Sequence, residues 1–135
     1  MTILFDTNII IDILQKREPF FNDSYQALRH ALKENYDCLV SAGAVTDVFY
    51  ILRKALQSTD LAKQQVEKLS QLVTFADVTG SDINTALSKE MNDFEDAVVD
   101  AVAEKYKSSY IVTRNVKDFE NSTVPAISPS EFLKS

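Results

Sequence analysis

Apolar positions along the chain follow two rhythms, and the alternation between them predicts the elements. Thr2 to Phe5 is a short apolar run that stops at Asp6, and it reads as a buried strand because no polar position interrupts it. Asp6-Thr7-Asn8 supplies helix-start chemistry, and Ile9, Ile10, Ile13 and Leu14 follow at helical spacing. After a connection at Lys16–Pro19, Phe21, Tyr25, Leu28 and Leu32 repeat on one face and predict a helix over 20–32. Cys38-Leu39-Val40 reads as a second strand, with Ser41 placed to cap the next helix. That helix carries a stripe of Val45, Val48, Phe49, Leu52 and Leu56, with Asp47 on its other side beside Tyr50 and Ile51. Ser58 opens another helix with Leu61, Gln65, Leu69 and Leu72 in register. Val73–Val78 gives a third strand, and Thr79 or Ser81 caps a short helix through Leu87.

Asp93 begins a further helix whose packing face is Phe94, Ala97, Val98, Ala101 and Val102, with Asp96 and Asp100 four apart on one side. Tyr110-Ile111-Val112 is a fourth strand ending at Thr113. Val124–Ile127 is a short last one, and Ser128-Pro129 starts a terminal turn of helix. Strands alternating with helices predict an α/β fold, three layers α/β/α around a central, mostly parallel sheet. In such a sheet a ligand site lies beyond the carboxyl ends of the strands. Asp6 stands at one such end. Thr113 stands at another, followed by Asn115 and Asp118.

Length and composition narrow the classes. A chain of 135 residues with 45% hydrophobic and 25% charged positions is expected to form one soluble domain, 1–135. Charge interrupts every apolar stretch before membrane-spanning length, so no membrane segment is expected. The opening Met1–Asp6 reads as the first strand and not as a secretory leader. Cys38 and His30 are each the only residue of their type. That excludes an internal disulfide and the common zinc sites, agrees with a reducing cytoplasm, and leaves any metal to oxygen ligands, hence Mg²⁺ or Mn²⁺.

The net charge is −6, which argues against a broad basic nucleic-acid surface. The excess is local: residues 74–104 hold eight Asp or Glu against one Lys. Crowded carboxylates repel unless protons or a cation intervene. In a parallel sheet Asp6, Asp47, Asp96 and Asp118 can face one cleft, with Asn8, Asp93, Asp100 and Asn115 around them. Hard oxygen ligands of this kind suit a divalent ion that orients and activates water. Each residue also has a local reading. Asp6 and Asp93 suit helix caps, Asp47 and Asp96 suit early helical turns, and Asp118 suits a loop end. Thr113 and Asn115 can satisfy nearby backbone groups, and solvent exposure is the simplest reading of Asp100. By spacing alone, metal chemistry and capping compete closely.

The ordered set Leu4-Phe5-Asp6-Thr7-Asn8 with Asp12 downstream, Asp93-Phe94-Glu95-Asp96-Ala97, Ile111-Val112-Thr113-Arg114-Asn115 with Asp118-Phe119, and Ser128-Pro129-Ser130-Glu131-Phe132-Leu133 resembles the PIN-domain family. That family includes the VapC-type toxins of bacterial toxin–antitoxin pairs, and the match runs over nearly the whole chain. The resemblance implies a metal-dependent ribonuclease with Asp6, Asp96 and Asp118 at acidic-site positions. Asp47 stands where the family more often has Glu, one methylene longer. It implies supporting roles for Asn8, Asp93, Asp100, Thr113 and Asn115, an RNA substrate, a cognate antitoxin and a homodimer. Arg17, Arg53, Lys54, Arg114 and Lys117 are candidate phosphate contacts beside a generic surface role. Tyr50 and Phe119 are candidate base-stacking groups, with core packing the competing role for Phe119. Three other readings stay open: a DNA- or flap-directed metal nuclease, a partner-binding module with a residual acidic pocket, and an aspartyl phosphatase using Asp6. The last lacks a second acid two residues on and an evident lysine motif.

Overall fold

The strands at Thr2–Phe5 and Tyr110–Val112 carry apolar side chains on both faces, and in the structure both faces are covered. The computed structural model describes residues 1–135. Strands β1 (Thr2–Phe5), β2 (Asp37–Ser41), β3 (Thr74–Ala76), β4 (Tyr110–Val112) and β5 (Ala126–Ile127) form one sheet in the order β3-β2-β1-β4-β5. All four pairings are parallel. Side chains alternate across the sheet. Ile3, Phe5, Cys38, Val40 and Val112 enter a larger core on one face. Leu4, Leu39, Ala76 and Ile111 enter a smaller one on the other.

Helices α1 (Thr7–Leu14), α2 (Phe21–Lys33), α3 (Ala42–Leu56), α4 (Thr59–Leu72) and α7 (Pro129–Lys134) contribute to the larger core. Helix α6 (Phe94–Lys105) contributes to the smaller one, and α5 (Gly80–Leu87) packs against α6. The result is the expected three-layer α/β/α arrangement. A 3₁₀ turn at Val116–Phe119, absent from the sequence reading, follows β4.

The predicted caps form at several starts. The side chains of Asp6, Ser58, Asp93 and Ser128 each accept a backbone N–H at their helix. Thr79 and Asp82 make a reciprocal capping box. Ser41 occupies its cap position but makes no side-chain cap bond.

Three packing faces differ from expectation. Helix α2 buries Ser24, Ala27, Leu28 and Ala31, and Tyr25 stacks on Phe21 at the surface. Helix α4 buries Ala62 and Leu69 and exposes Leu61 and Leu72, while Leu56 of α3 is also exposed. Helix α6 exposes Phe94 and buries Asp100 completely. In α2 and α4 small residues form the contact, since they let a helix lie close to its neighbour. A reading that follows large side chains rotates the helix away from that face.

Topology places the site. From β1 the chain moves outward through β2 to β3, then returns across the sheet to β4 on the other side of β1. The order reverses at the β1–β4 boundary, where an open α/β sheet leaves a crevice beyond its carboxyl ends. Phe5 pairs with Val112 there, so the next residues, Asp6 and Thr113, emerge side by side.

Candidate active site

Asp6 is held from two directions. One carboxylate oxygen, Oδ1, accepts the Thr7 backbone N–H at 2.8 Å, and Oδ2 accepts the Thr113 hydroxyl at 2.9 Å. The direction of the hydroxyl proton follows from its other partners. Thr113 Oγ1 already accepts the Asn115 backbone N–H at 3.0 Å and Asn8 Nδ2 at 3.3 Å. Its single proton is therefore left for Asp6. Asn8 also accepts the Arg114 backbone N–H through Oδ1. Asn8, Thr113 and the Asn115 backbone thus form one connected frame around the Asp6 carboxylate. The Asn115 side chain is exposed.

Asp93 caps α6 by accepting the Asp96 N–H at 3.1 Å. This places Asp96 in the first helical turn, half-buried, with Asp93 beside it. Asp118 is exposed on the 3₁₀ turn, next to Phe119, which is buried in the smaller core. Phe119 is a packing residue here and no stacking platform.

These acids act on one another. Burial pushes the Asp6 carboxyl above its ordinary range. Thr113 and Thr7 partly offset this, and the charges of Asp93 and Asp118 add to it. Asp96 is pushed up to about 7, first by desolvation and then by the charges of Asp6, Asp93, Asp118 and Glu95. Asp96 therefore gives up its proton much less readily than an ordinary carboxyl. Segments far apart in sequence, at β1, α6 and the turn after β4, have been brought within electrostatic reach.

Asp47 and Asp100 stand apart from this set. Asp47 is exposed in the second turn of α3 and is not among the charges that raise Asp6 or Asp96. Exposed Tyr50 lies one turn further on the same helix. Asp100 is fully buried and pairs with Lys89 at 2.9 Å, and it also accepts the Thr123 and Val124 backbone N–H groups. The expected solvent exposure of Asp100 is thereby corrected. Arg114, a candidate phosphate contact, is tied to buried Asp12 by two hydrogen bonds. Asp12 entered the sequence reading only as part of a motif. Its signal was a charge inside the apolar run Ile9–Leu14, which burial makes costly without a partner.

No group of three or more His, Cys, Asp or Glu side chains is drawn together tightly enough to hold a metal ion as it stands. The donor chemistry itself suits a hard divalent ion. Every donor is oxygen, and Mg²⁺ keeps several waters while using one or two carboxylates.

Replacing Thr113 with Val tests the frame. The expected cost is about 1–3 kcal/mol in denaturant unfolding, because the Asn8 and Asn115 donors lose their acceptor. The Asp6 carboxyl should titrate at higher pH by carbon NMR. An unchanged Asp6 titration contradicts the assigned donor.

Comparison with known proteins agrees with this architecture. The family model described as PIN domain matches residues 2–117. The chain is 25% identical over 138 residues to "Ribonuclease VapC1" of Aquifex aeolicus, covering 98% of this chain and 93% of that protein. Among solved structures, VapBC2 from Rickettsia felis, bound to a DNA fragment from its promoter, superposes with a TM-score of 0.76 at 15% identity. The overlap covers 95% of this chain and 98% of the other. A toxin–antitoxin complex from Klebsiella pneumoniae gives 0.69 at 21% identity, again over 95% and 98% of the two chains. Matched by its family model over most of its length, the chain belongs to the PIN-domain family and has the fold of the VapC-type toxins.

Proposed function

We propose that this protein is a divalent-cation-dependent endoribonuclease and the toxin of a toxin–antitoxin pair. The observation that carries the reading is the Asp6 carboxylate, framed by Thr7 and Thr113 at the topological switch point of the sheet, with the charges of Asp93 and Asp118 bearing on it and on Asp96. Such crowding is unfavourable in the bare chain and becomes useful when a cation neutralises it. Asp6, Asp96 and Asp118 would hold Mg²⁺ or Mn²⁺, and Asp47 would bind or orient a second ion from α3. The chemistry that a divalent ion supplies when bound is a lowered pKa for water and neutralisation of charge on a phosphodiester under attack.

The chain's own residues do the rest. Thr113 and the Thr7 amide fix the plane of the Asp6 carboxylate, so that group pays little ordering cost on binding. Asp96, its carboxyl pushed up by burial and by neighbouring charge, would have to be deprotonated to serve as a ligand. RNA as substrate and an antitoxin as partner rest on the similarity to a named ribonuclease and to toxin–antitoxin complexes. Exposed Tyr50, Leu56, Leu61 and Leu72 on α3 and α4 offer apolar area for the antitoxin or for a second copy of the chain. No helix is long and apolar enough to cross a membrane.

The test is side-by-side cleavage of matched single-stranded RNA and DNA in Mg²⁺ or Mn²⁺ and in chelator. Cleavage of RNA alone, lost with chelator, is the expected result. Equal cleavage of DNA overturns the substrate assignment, and cation-independent cleavage overturns the chemistry.

A further inference from the structure

Two fully buried carboxylates, Asp12 and Asp100, lie outside the set of Asp6, Asp93, Asp96 and Asp118, and each is paired with a basic side chain. Asp12 on α1 accepts Arg114 Nε at 2.7 Å, Arg114 Nη2 at 3.2 Å and the Ser24 hydroxyl at 3.0 Å. The Arg114 guanidinium also lies 3.9 Å over the Phe20 ring. Asp100 on α6 accepts Lys89 Nζ at 2.9 Å and the backbone N–H groups of Thr123 and Val124 at 2.8 and 2.9 Å. Lys89 also reaches Thr123 Oγ1 at 3.1 Å and Glu104 at 3.5 Å.

These pairs grip the two ends of one segment. Arg114 precedes the 3₁₀ turn and fastens it to α1, the helix that Asp6 caps. Thr123 and Val124 follow the turn and are fastened to α6, one helical turn beyond Asp96. Asp118 lies between them. A buried ion pair is a weak device for stability, because desolvation offsets much of its attraction. Its directional bonds, however, fix distance and angle where an apolar contact would slide. Asp12 within an apolar run is hard to explain as a stabiliser and easy to explain as a fastener.

We propose that Asp12–Arg114 and Asp100–Lys89 are positioning pairs that clamp both ends of residues 114–124 and so set Asp118 against Asp6 and Asp96. This deepens the proposed function and rests on it for its consequence, cation affinity. The clamp itself is independent of it.

The experiment uses the full chain and two double variants that remove both charges of a pair together, Asp12→Leu with Arg114→Met and Asp100→Asn with Lys89→Met. Amide hydrogen exchange is followed without metal at Asp118 and Ser122, whose N–H groups bond to Asn115 and Phe119 carbonyls. Mn²⁺ affinity is measured in parallel. The expected result is exchange at least tenfold faster at both amides with the β1 and β4 amides unchanged, and Mn²⁺ affinity weakened about tenfold. The single variant Arg114→Lys keeps the charge and loses the two-point grip, and is expected to fall between. Exchange at Asp118 and Ser122 that follows the rest of the chain overturns the clamp. Faster exchange with native Mn²⁺ affinity overturns its role in the site. A native chain that takes up no Mn²⁺ overturns the proposed function, and exchange then still decides the clamp.

Discussion

Asp6→Asn is expected to reduce RNA cleavage about a hundredfold or more while leaving the chain folded. Outer partners of a metal ligand are typically worth 10–100-fold, and Asp6 is proposed as a ligand itself, so the loss should sit at or above the top of that range. The amide keeps the shape of the carboxylate and can still accept the Thr7 N–H, but its NH2 group faces the Thr113 hydroxyl, whose proton loses its acceptor. The substitution removes the negative charge that presses on Asp96. A loss caused by misfolding would appear as lower stability. Here relief of charge burial and loss of the Thr113 hydrogen bond oppose one another, so the metal-free variant should stay within about 1 kcal/mol of the native chain in denaturant unfolding. Native-like cleavage by the variant removes Asp6 from the chemistry.

Asp96→Asn is expected to exchange stability for function in a pH-dependent way. In the native chain the Asp96 carboxyl is displaced from its ordinary 3.8 to about 7. Below about pH 3.8 both the folded and the unfolded chains carry the proton, and the carboxyl contributes nothing to the pH dependence. Between about 4 and 7 the unfolded chain has ionised and the folded one has not, so rising pH favours unfolding. Above 7 the whole penalty is present. An Asn is fixed in the neutral form and escapes it. The full displacement would correspond to about 4 kcal/mol. Screening at this half-buried position reduces it to about 1–2 kcal/mol. The melting temperature of Asp96→Asn relative to the native chain should therefore climb from pH 4 to pH 8 in metal-free buffer. Saturating Mn²⁺ should stabilise the native chain and leave the variant unmoved. A difference independent of pH contradicts the crowding of the acids.

Much of the fold was legible because both signals on which it rests are local. The unbroken apolar runs at Thr2–Phe5 and Tyr110–Val112 marked doubly covered strands, and Asp6, Ser58 and Asp93 marked helix starts through side-chain oxygens that cap. The contact faces of α2 and α4 were less legible. Ala27, Ala31 and Ala62 pack there because they are small, a property that hydrophobic periodicity undervalues. In the site, the places of Asp6 just after β1 and of Asp118 in the turn after β4 followed from strand order. The status of Asp100 did not, since its partners Thr123 and Val124 lie in a loop with no pattern of its own. Asp47 was assigned by family resemblance, and its place on the exposed side of α3 depends on a helix rotation that spacing alone leaves open.

If the acids around the carboxyl ends of β1 and β4 share one hard cation, manganese should collect between them. Anomalous diffraction from a crystal soaked in Mn²⁺ tests it most directly. A peak is expected within coordination distance of the Asp6 and Asp96 carboxylates, with Asp118 beside it. Manganese bound elsewhere, or absent from these carboxylates at millimolar concentration, would contradict it.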